Sequence, residues 1–256
     1  MLEAVHLTKR YASLPALQDL SFSLQPGQVL GCLGPNGSGK STTVKMLTGL
    51  LQPTRGTVRF NGSNIQDDLA AYRKHLGYVP EEAYLYPYLS GWECLELIGT
   101  LRGMQPGSLA VKIDSLLQLF SMHPSRHASI SSYSKGMRQR VLLIAAIMDN
   151  PDIFIFDEPL SGLDVTSALI FKNLVQALGQ QGKLVFYCSH VLEVVEKVCS
   201  DVLILRQGVV IAQDSVANIG QILGQSLENT FLHLVDEVDT ATVARDIVDV
   251  MSMRAA

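Results

Sequence analysis

The sequence predicts an α/β fold with a mostly parallel core sheet, an antiparallel β subdomain and an inserted helical subdomain. Three apolar runs, at residues 29–33, 153–156 and 184–188, are separated by turns and helical patterns. Runs that are apolar throughout are typical of strands buried on both faces, as in parallel sheets covered by helices. Because ligands bind at the carboxyl ends of such strands, we expect the loops after these runs to form one site.

Two other segments predict antiparallel strands. Residues 57–60 run into the turn dipeptide Asn61-Gly62. Residues 202–205 and 209–212 flank a short turn, which is the pattern of a hairpin.

Helical patterns account for the remaining elements. A helix is expected at residues 43–50, after the first apolar run. From about residue 82 to residue 150 no comparable strand occurs, and apolar residues recur at helical spacing in residues 92–98 and 113–120. We therefore predict a helical subdomain inserted between two parts of the sheet.

Composition excludes several classes of protein. The chain has 256 residues, of which 47% are hydrophobic and only 17% charged, and its net charge is −4. Its mean hydropathy of +0.21 is high, yet the most apolar stretch, residues 141–148, is far shorter than the roughly 18 residues of a membrane span. No basic region precedes an apolar core at the N-terminus, so no secretory signal is expected.

Charge and cysteine content exclude further classes of protein. The pI of about 5.8 indicates no basic surface of the kind that binds nucleic acid. The four cysteines form no CxxC pair and have no nearby His at metal-binding spacing, so neither a zinc site nor a disulfide framework is expected. Scattered thiols are typical of a reducing compartment.

A glycine-rich loop follows the first apolar run. It matches the pattern GxxxxGK[ST] with Gly34, Pro35, Asn36, Gly37, Ser38, Gly39, Lys40 and Ser41. In such a loop consecutive backbone N–H groups and the positive end of the following helix point at an anion. Lys40 can reach the β- and γ-phosphates, and Ser41 can offer a hydroxyl to Mg²⁺. We predict that this loop, with Thr42 behind it, binds nucleotide phosphates; the alternative is a simple connecting turn.

Two carboxylates, Asp157 and Glu158, directly follow the second apolar run. An Asp at the end of such a strand can hold Mg²⁺ through water, and Glu158 can accept a proton from an attacking water. An Asp-Glu pair by itself more often belongs to a solvated loop or a helix cap. Together with the glycine-rich loop, the pair predicts the metal-binding and catalytic groups of a phosphate-loop NTPase.

A third segment narrows the type of NTPase. Residues 133–137, Tyr-Ser-Lys-Gly-Met, resemble the LSGGQ signature of ABC ATPases, and residues 138–140 match its usual basic continuation. Residues 157–164 are similar to the Walker B motif and D-loop of that family, and Ser189-His190 to its switch-histidine motif.

The resemblance covers the chain from Leu2 to about Ala217, with the motifs in the family's order. It implies a RecA-like phosphate-loop fold with ATP and Mg²⁺ as cofactors. The expected organisation is one ABC ATP-binding domain at residues 1–217, with the helical subdomain at about residues 82–150, and a C-terminal extension at residues 218–256.

The family mechanism assigns further roles. In ABC ATPases two domains pack head to tail, and each ATP lies between one chain's phosphate loop and the other's signature. By resemblance, the Ser134 hydroxyl and the Gly136 N–H would bind the γ-phosphate across the interface. His190 would hold the γ-phosphate and the attacking water beside Glu158, and Asp164 would connect the two sites of the dimer.

Tyr11 matches the aromatic residue that stacks on adenine in this family. Structural alternatives stay open for single residues at this stage. Tyr11 can serve in ordinary surface packing, His190 can be a structural histidine at a strand end, and Asp164 can simply cap a helix.

Three positions depart from the family pattern. Lys135 stands where a Gly-type residue is expected, Met137 replaces the final Gln of the signature, and Glu81 replaces the Gln of the Q-loop. A carboxylate can still bind Mg²⁺ or its waters, but it cannot donate a hydrogen bond as Gln does. We expect these three departures to change the rate of ATP turnover more than the affinity for ATP.

The resemblance also implies partners. These are a second ATP-binding subunit, identical or different, and an integral membrane permease, with no nucleic acid. The apolar, aromatic residues 84–89 lie beside Glu81, where ABC transporters receive a short helix of the membrane subunit. We predict that residues 84–89 form part of that socket; the alternative is packing within the helical subdomain.

The predicted function is an ATP-hydrolysing subunit that powers a separate permease from the cytoplasmic face of the membrane. The signature variant, Glu81 and residues 226–231, which resemble the SLExxF segment of exporter ATPases, favour export. Residues 238–253 have amphipathic helical spacing, and capping of the domain is their favoured role. The alternative function is a non-transport ABC ATPase acting on ribosomes or DNA, although no second ATPase domain and no sustained heptads occur in the sequence.

Overall fold

The computed structural model of the chain describes residues 1–12 and 14–222, together with Arg245 and Ile247. An antiparallel sheet comprises β1 (Leu2–Tyr11), β2 (Leu14–Leu24), β4 (Arg55–Phe60) and β5 (Ser63–Asn64). A larger sheet comprises β3 (Val29–Leu33), β6 (Leu76–Val79), β7 (Ile153–Asp157), β8 (Leu184–Cys188), β9 (Asp201–Arg206) and β10 (Val209–Ser215).

The larger sheet is mostly parallel, as the sequence predicts. Its strand order is β10-β9-β3-β8-β7-β6, and within it only β10 runs antiparallel to its neighbour. Every residue of β3, β7 and β8 is buried. Cys32 of β3 lies opposite Cys188 of β8, which lies opposite Asp157 of β7. This register brings the loops after the three strands to one edge of the sheet.

The antiparallel sheet packs against the larger sheet. Leu7, Leu20 and Phe22 share a buried cluster with Phe186 of β8, and the rings of Phe22 and Phe186 stack with their centroids 5.4 Å apart. Aromatic pairs in this arrangement add to the free energy gained by burial of apolar area. The contact therefore fixes the small sheet against the strands that lead to the site.

Within the described residues there are eight α-helices: α1 (Lys40–Leu47), α2 (Leu69–Lys74), α3 (Gly91–Leu101), α4 (Pro106–Leu119), α5 (Lys135–Ile147), α6 (Val165–Gln180), α7 (Leu192–Val198) and α8 (Val216–Ile222). None of them is both long and apolar enough to cross a bilayer. Helices α3, α4 and α5 lie between β6 and β7 in the chain and share one buried apolar cluster. The predicted helical insertion is therefore present.

The helical insertion is delimited by specific hydrogen bonds. The hydroxyl of Ser90 accepts from the N–H of Glu93 at 3.2 Å, and the Glu93 carboxylate accepts from the N–H of Ser90 at 2.8 Å. This reciprocal pair is a capping box and fixes the start of α3. At the start of α5 the Ser134 hydroxyl forms a single cap, accepting a 3.2 Å hydrogen bond from the N–H of Met137.

The structure differs from the sequence prediction in several elements, of which α1, β1 and β2 have a clear physical reason. Helix α1 begins at Lys40 and ends at Leu47, whereas residues 43–50 were expected. It begins early because the glycine-rich loop itself forms the helix start, and it ends early because Gly49 adopts the left-handed conformation with φ 67°. Strands β1 and β2 were not predicted because β-bulges interrupt their alternation of apolar and polar residues.

Two further predictions lie largely outside the part of the chain that the structure describes. Residues 226–231 fall outside it, as do residues 238–253 apart from Arg245 and Ile247. The division into a domain at residues 1–217 and an extension at residues 218–256 stays a prediction.

Candidate nucleotide site

A cavity of about 440 Å³ opens at the carboxyl ends of β3, β7 and β8. The loops after the three strands contribute to its wall, together with the segment after β6. Its lining comprises Ala16, Asn36, Gly37, Gly39, Lys40, Ser41, Thr42, Glu81, Asp157, Glu158 and His190. The cavity thus combines predicted phosphate-binding, metal-binding and catalytic residues from four separate segments.

The backbone of the glycine-rich loop requires glycine at specific points. Gly37 and Gly39 have φ values of 80° and 110°, which residues with a Cβ atom rarely adopt. A Cβ atom on Gly39 would also lie 2.9 Å from the carbonyl oxygen of Ala16. The loop therefore approaches strand β2 closely, and this explains why Ala16 belongs to the cavity wall.

Lys40 is the buried cation of the site, with 8% of its surface exposed. Its Nζ donates to the carbonyl oxygens of Gly34 at 2.6 Å and Pro35 at 3.1 Å. These neutral acceptors satisfy two of the three donors of the ammonium group but do not neutralise its charge. Because these two acceptors are neutral, the charge of Lys40 can still attract an anion in the cavity.

The loop is held in place by its neighbours. The N–H of Gly208, in the turn between β9 and β10, donates to the carbonyl of Ser38 at 2.9 Å, and the N–H of Gln18 donates to the carbonyl of Gly208 at 2.7 Å. The hydroxyl of Ser38 is buried and has no hydrogen-bond partner within the described residues. A rigid loop with an unused donor suits a ligand that supplies acceptor oxygens.

Asp157 is buried opposite the lysine, at the end of β7. Burial, together with the nearby carboxylates of Glu81 and Glu158, raises the pKa of its carboxyl to about 6, although the charge of Lys40 acts in the opposite direction. Three acidic side chains thus share one small space. Such an arrangement is costly while the carboxylates are ionised and favours a cation between them.

The three carboxylates do not form a complete metal site. Within the described residues, no three His, Cys, Asp or Glu side chains lie close enough together to hold an ion. Mg²⁺ is commonly bound by one or two carboxylates, waters and the phosphate oxygens of a nucleotide. Ser41, Glu81 and Asp157 line the same cavity and offer the oxygen ligands that such a mixed site needs.

Glu158 and His190 are in direct contact. The Nδ1 of His190 lies 2.8 Å from the Oε1 of Glu158, and the Glu158 side chain is only 13% exposed, whereas that of His190 is 66% exposed. Glu158 has a φ of 47°, an unusual conformation for a residue other than glycine, and its N–H donates to the carbonyl of Cys188 at 3.1 Å. A strained backbone at a site residue often accompanies function.

The predicted signature and D-loop residues lie outside the cavity. Ser134, Gly136 and Asp164 are not among its lining residues. A Cβ atom on Gly136 would lie 2.5 Å from the carbonyl oxygen of Gly162, so the start of α5 packs directly on the segment before Asp164. The site in one chain therefore lacks the signature residues that the resemblance assigns to ATP.

Asp164 caps α6 and pairs with Arg140 of α5. Its Oδ1 accepts from the N–H of Ser167 at 2.9 Å, and its Oδ2 accepts from the Ser167 hydroxyl and the Arg140 guanidinium. Hydrogen bonds from Ser167 and the charge of Arg140 lower the pKa of the Asp164 carboxyl to about 2. The Asp therefore stays ionised at neutral pH and joins the signature helix to α6 within one chain.

Two aromatic predictions fall on residues that do not line the cavity. Tyr11 is half exposed, with the Nζ of Lys9 5.6 Å from its ring centroid, and it does not line the cavity. In residues 84–89 exposed tyrosines are interspersed with leucines that pack inward. The three tyrosines, Tyr84, Tyr86 and Tyr88, are 83%, 67% and 93% exposed, whereas the two leucines pack against the buried clusters.

Comparisons with known proteins agree with this geometry. The family model described as ABC transporter matches residues 17–161. The chain is 33% identical over 205 residues to the ABC transporter ATP-binding protein NatA of Bacillus subtilis, covering 80% of this chain and 83% of that protein. The chain belongs to the ABC transporter family. As an ABC ATP-binding domain, it is also similar to the linearmycin resistance ATP-binding protein LnrL of Bacillus subtilis, at 34% identity over 224 residues, 88% of this chain and 72% of that protein.

Solved structures show the same fold. A structure of the ATP binding subunit of an ABC transporter matches this ABC ATP-binding domain with a TM-score of 0.86 at 30% identity. The match covers 91% of this chain and 99% of the other. The predicted phosphate-loop fold is therefore confirmed.

Sequence reasoning missed some residues of this ABC site. Ala16 lies in the wall of the cavity, but a lone alanine in a strand carries no chemical signal. Gln139 is buried behind the signature, and its Nε2 donates to the carbonyl of Pro159 at 3.1 Å. A glutamine within an otherwise apolar helix face is the signal that could have indicated this contact.

The raised pKa of Asp157 yields a prediction about stability. Because the folded pKa, about 6, exceeds the ordinary value of 3.8, this group contributes stability at low pH that is lost as the pH rises from about 4 through 6. Without nucleotide or metal, Asp157→Asn should therefore stabilise the chain at pH 7.5 by about 2 kcal/mol. Thermal unfolding in EDTA would measure this gain as a melting temperature higher by about 5 °C.

The gain from Asp157→Asn should shrink as the pH is lowered from 6 to 4, because the wild-type carboxyl is then protonated in the folded state. Asp67→Asn, at an exposed position, is the matched control and should leave the melting temperature unchanged. A destabilised Asp157→Asn variant at pH 7.5 would contradict the assignment of Asp157 as a strained carboxylate.

Proposed function

We propose that the chain binds ATP with Mg²⁺ and hydrolyses it to drive a separate membrane permease. The observation that carries the proposal is the single cavity that contains Lys40, Ser41, Asp157, Glu158 and His190. It joins an anion-binding loop, a set of acidic side chains and a carboxylate–histidine pair.

The phosphates bind at the glycine-rich loop in this proposal. Lys40 exchanges the carbonyls of Gly34 and Pro35 for the β- and γ-phosphate oxygens, because charge-assisted hydrogen bonds are stronger than those to neutral acceptors. The N–H groups of residues 36–42 and the positive end of α1 add further donors. Thr42 lies behind the loop and completes the wall of the cavity.

Ser41, Glu81 and Asp157 hold the cation in this proposal. When bound, Mg²⁺ would neutralise charge on the phosphates and on the surrounding carboxylates. Burial and the neighbouring carboxylates raise the pKa of Asp157, and the charge of the ion would offset both effects. Glu81 has the same function here as the family's glutamine in contacting the ion or its waters, without the donor capacity of an amide.

Glu158 is the general base. Its carboxylate accepts a proton from a water molecule as the water oxygen bonds to the γ-phosphorus and the bond to the β-phosphate oxygen breaks, leaving ADP and inorganic phosphate. His190 is exposed enough to turn from Glu158 toward the γ-phosphate. The histidine would then donate a hydrogen bond to a phosphate oxygen.

A second ATP-binding subunit completes each site. Ser134 and Gly136 do not reach the cavity of their own chain, yet Ser134 lies at the positive end of α5 with its hydroxyl exposed to a partner. In a head-to-tail dimer these residues bind the γ-phosphate held by the other chain. Asp164 pairs with Arg140 of α5, so a change at one site would be transmitted to the helix that carries the signature of the same chain. Tyr11 would stack on the adenine at the edge of the cavity.

The permease docks on an aromatic surface formed by Tyr84, Tyr86 and Tyr88. Exposed tyrosines in a row are unfavourable in water and are typical of interface cores. The segment follows Glu81 directly, so binding of the cation and movement of the permease are mechanically connected. The chain would act peripherally on the cytoplasmic face of the membrane.

We propose export as the direction of transport. The relative LnrL is named as a linearmycin resistance protein, and removal of a toxic compound from a cell confers resistance. The sequence features that resemble exporter ATPases, including Glu81 and the altered signature residues Lys135 and Met137, support the same direction.

Replacement of Lys40 tests phosphate binding. Lys40→Ala should lower ATP affinity by at least about a hundredfold, because the buried cation that faces the phosphates is lost. Isothermal titration with a non-hydrolysable ATP analogue measures this change. Lys74→Ala, at an exposed lysine at the end of α2, is the control. Unchanged affinity in Lys40→Ala would refute the assignment of the loop.

Replacement of Glu158 tests the catalytic base. Glu158→Gln keeps the size of the side chain but cannot accept the proton, so ATP should persist and hold two chains together. Light scattering with ATP should then show a stable dimer, and turnover should fall by about a hundredfold or more. Glu82→Gln, at an exposed neighbour of the cavity, should behave as wild type. Multiple-turnover hydrolysis at the wild-type rate in Glu158→Gln would exclude Glu158 as the base.

Charge on the aromatic surface tests the permease contact. The double substitution Tyr86→Asp and Tyr88→Asp should abolish cross-linking to an integral membrane protein but preserve ATP binding, because both side chains point into solvent. A photocrosslinker at Tyr84 and mass spectrometry identify the partner. Leu50→Asp, at an exposed leucine beyond the end of α1, is the control. Equal cross-linking in all variants would remove these tyrosines from the interface.

A further inference from the structure

Ser189 lies where the ends of three strands of the larger sheet meet. Its N–H donates to the carbonyl of Cys32, the penultimate residue of β3, at 3.4 Å. Its hydroxyl donates to the Oε2 of Glu158, directly after β7, at 3.4 Å. Ser189 itself follows β8 and is 3% exposed. One buried residue thus contacts the strand that leads to the phosphate loop through its backbone and the proposed base through its side chain.

The direction of these hydrogen bonds follows from chemistry. The N–H of Val191 donates to the Ser189 hydroxyl at 3.0 Å, so the serine oxygen acts there as an acceptor. The hydroxyl proton is then left for another acceptor, and an ionised carboxylate offers only acceptors. The hydroxyl therefore points its single proton at Glu158.

The two oxygens of Glu158 are held by different kinds of partner. Oε1 contacts His190, whose side chain is 66% exposed, whereas Oε2 contacts the buried Ser189. In the proposed mechanism His190 turns away to the γ-phosphate. The hydrogen bond from Ser189 is then the contact that still orients the carboxylate, because the serine is fixed by the backbone bonds to Cys32 and Val191.

We propose that Ser189 is a positioning residue for hydrolysis, which keeps the Glu158 carboxylate aimed at the attacking water when His190 leaves Oε1. This inference rests on the proposed function of Glu158 as the base. It assigns Ser189 no contact with ATP. The hydrogen bond from Ser189 raises the rate of the chemical step and does not change the affinity for nucleotide.

A purely structural role makes a different prediction. Ser189 also forms a local turn with Val191, and loss of that turn would reduce the stability of the fold. Such an effect would appear in the melting temperature and in nucleotide binding. It would not depend on the presence of a carboxylate at residue 158.

The test uses the full chain and four variants, Ser189→Ala, Ser189→Thr, Glu158→Gln and the double variant Ser189→Ala with Glu158→Gln. Steady-state hydrolysis of Mg–ATP gives kcat and KM, and single-turnover hydrolysis gives the residual rate of the two variants that carry Glu158→Gln. Ser189→Ala should lower kcat about tenfold, the effect of one lost hydrogen bond at the transition state. KM should change less than about twofold, and Ser189→Thr, which keeps the hydroxyl, should restore most of kcat.

The double variant distinguishes positioning from other effects. If Ser189 acts through the Glu158 carboxylate, Ser189→Ala should no longer slow hydrolysis once Glu158→Gln has removed that carboxylate, so the two changes should be strongly non-additive. Additive losses would overturn the proposal, as would a wild-type kcat in Ser189→Ala. A fall in kcat that follows a fall in melting temperature and that Thr does not rescue would also overturn it.

The same experiment separates this inference from the proposed function. A wild-type chain that binds but does not hydrolyse ATP, alone and with its permease, overturns the function of Glu158 and the inference together. A wild-type chain that hydrolyses ATP, combined with no effect of Ser189→Ala, overturns the inference alone.

Discussion

The balance of charge at one edge of the larger sheet is the constraint on which the rest of the site depends. One buried ammonium group, that of Lys40, faces the carboxylates of Glu81, Asp157 and Glu158. The resulting excess of negative charge is unfavourable in a small, partly buried space. Burial of β3, β7 and β8 on both faces prevents the strand ends from moving apart to relieve it.

From this constraint we expect that nucleotide and cation bind the cavity together more tightly than either binds it alone. The carboxylates repel a nucleotide that arrives without a cation, and within the described residues no three acidic, His or Cys side chains are close enough to bind a cation without a nucleotide. A cation that shares phosphate oxygens and carboxylates satisfies both requirements. In this account the site is completed by its substrate, and closure of the dimer follows from the same event.

Most of the cavity could be predicted from the sequence because its residues immediately follow buried strands. Uninterrupted apolar runs predicted β3, β7 and β8, and polar residues at their ends predicted Lys40, Asp157 and His190. Contacts between distant segments had no such signal. The position of Ala16 beside Gly39 and the hydrogen bond of Ser189 to Glu158 depend on the register of the sheets. Strand β1 was not predicted because β-bulges interrupt its alternation of apolar and polar residues.

The apolar composition of the chain is explained by the burial of the larger sheet on both faces, together with an aromatic surface left exposed at Tyr84, Tyr86 and Tyr88.

The mutual dependence of cation and nucleotide is tested most directly by isothermal titration of the full chain with a non-hydrolysable ATP analogue, in Mg²⁺ and in EDTA. The account predicts that the analogue binds at least about tenfold more tightly with Mg²⁺, a difference of about 1.4 kcal/mol or more. It also predicts no saturable heat when Mg²⁺ is added without nucleotide. Equal affinity in the two buffers, or tight binding of Mg²⁺ alone, would contradict it.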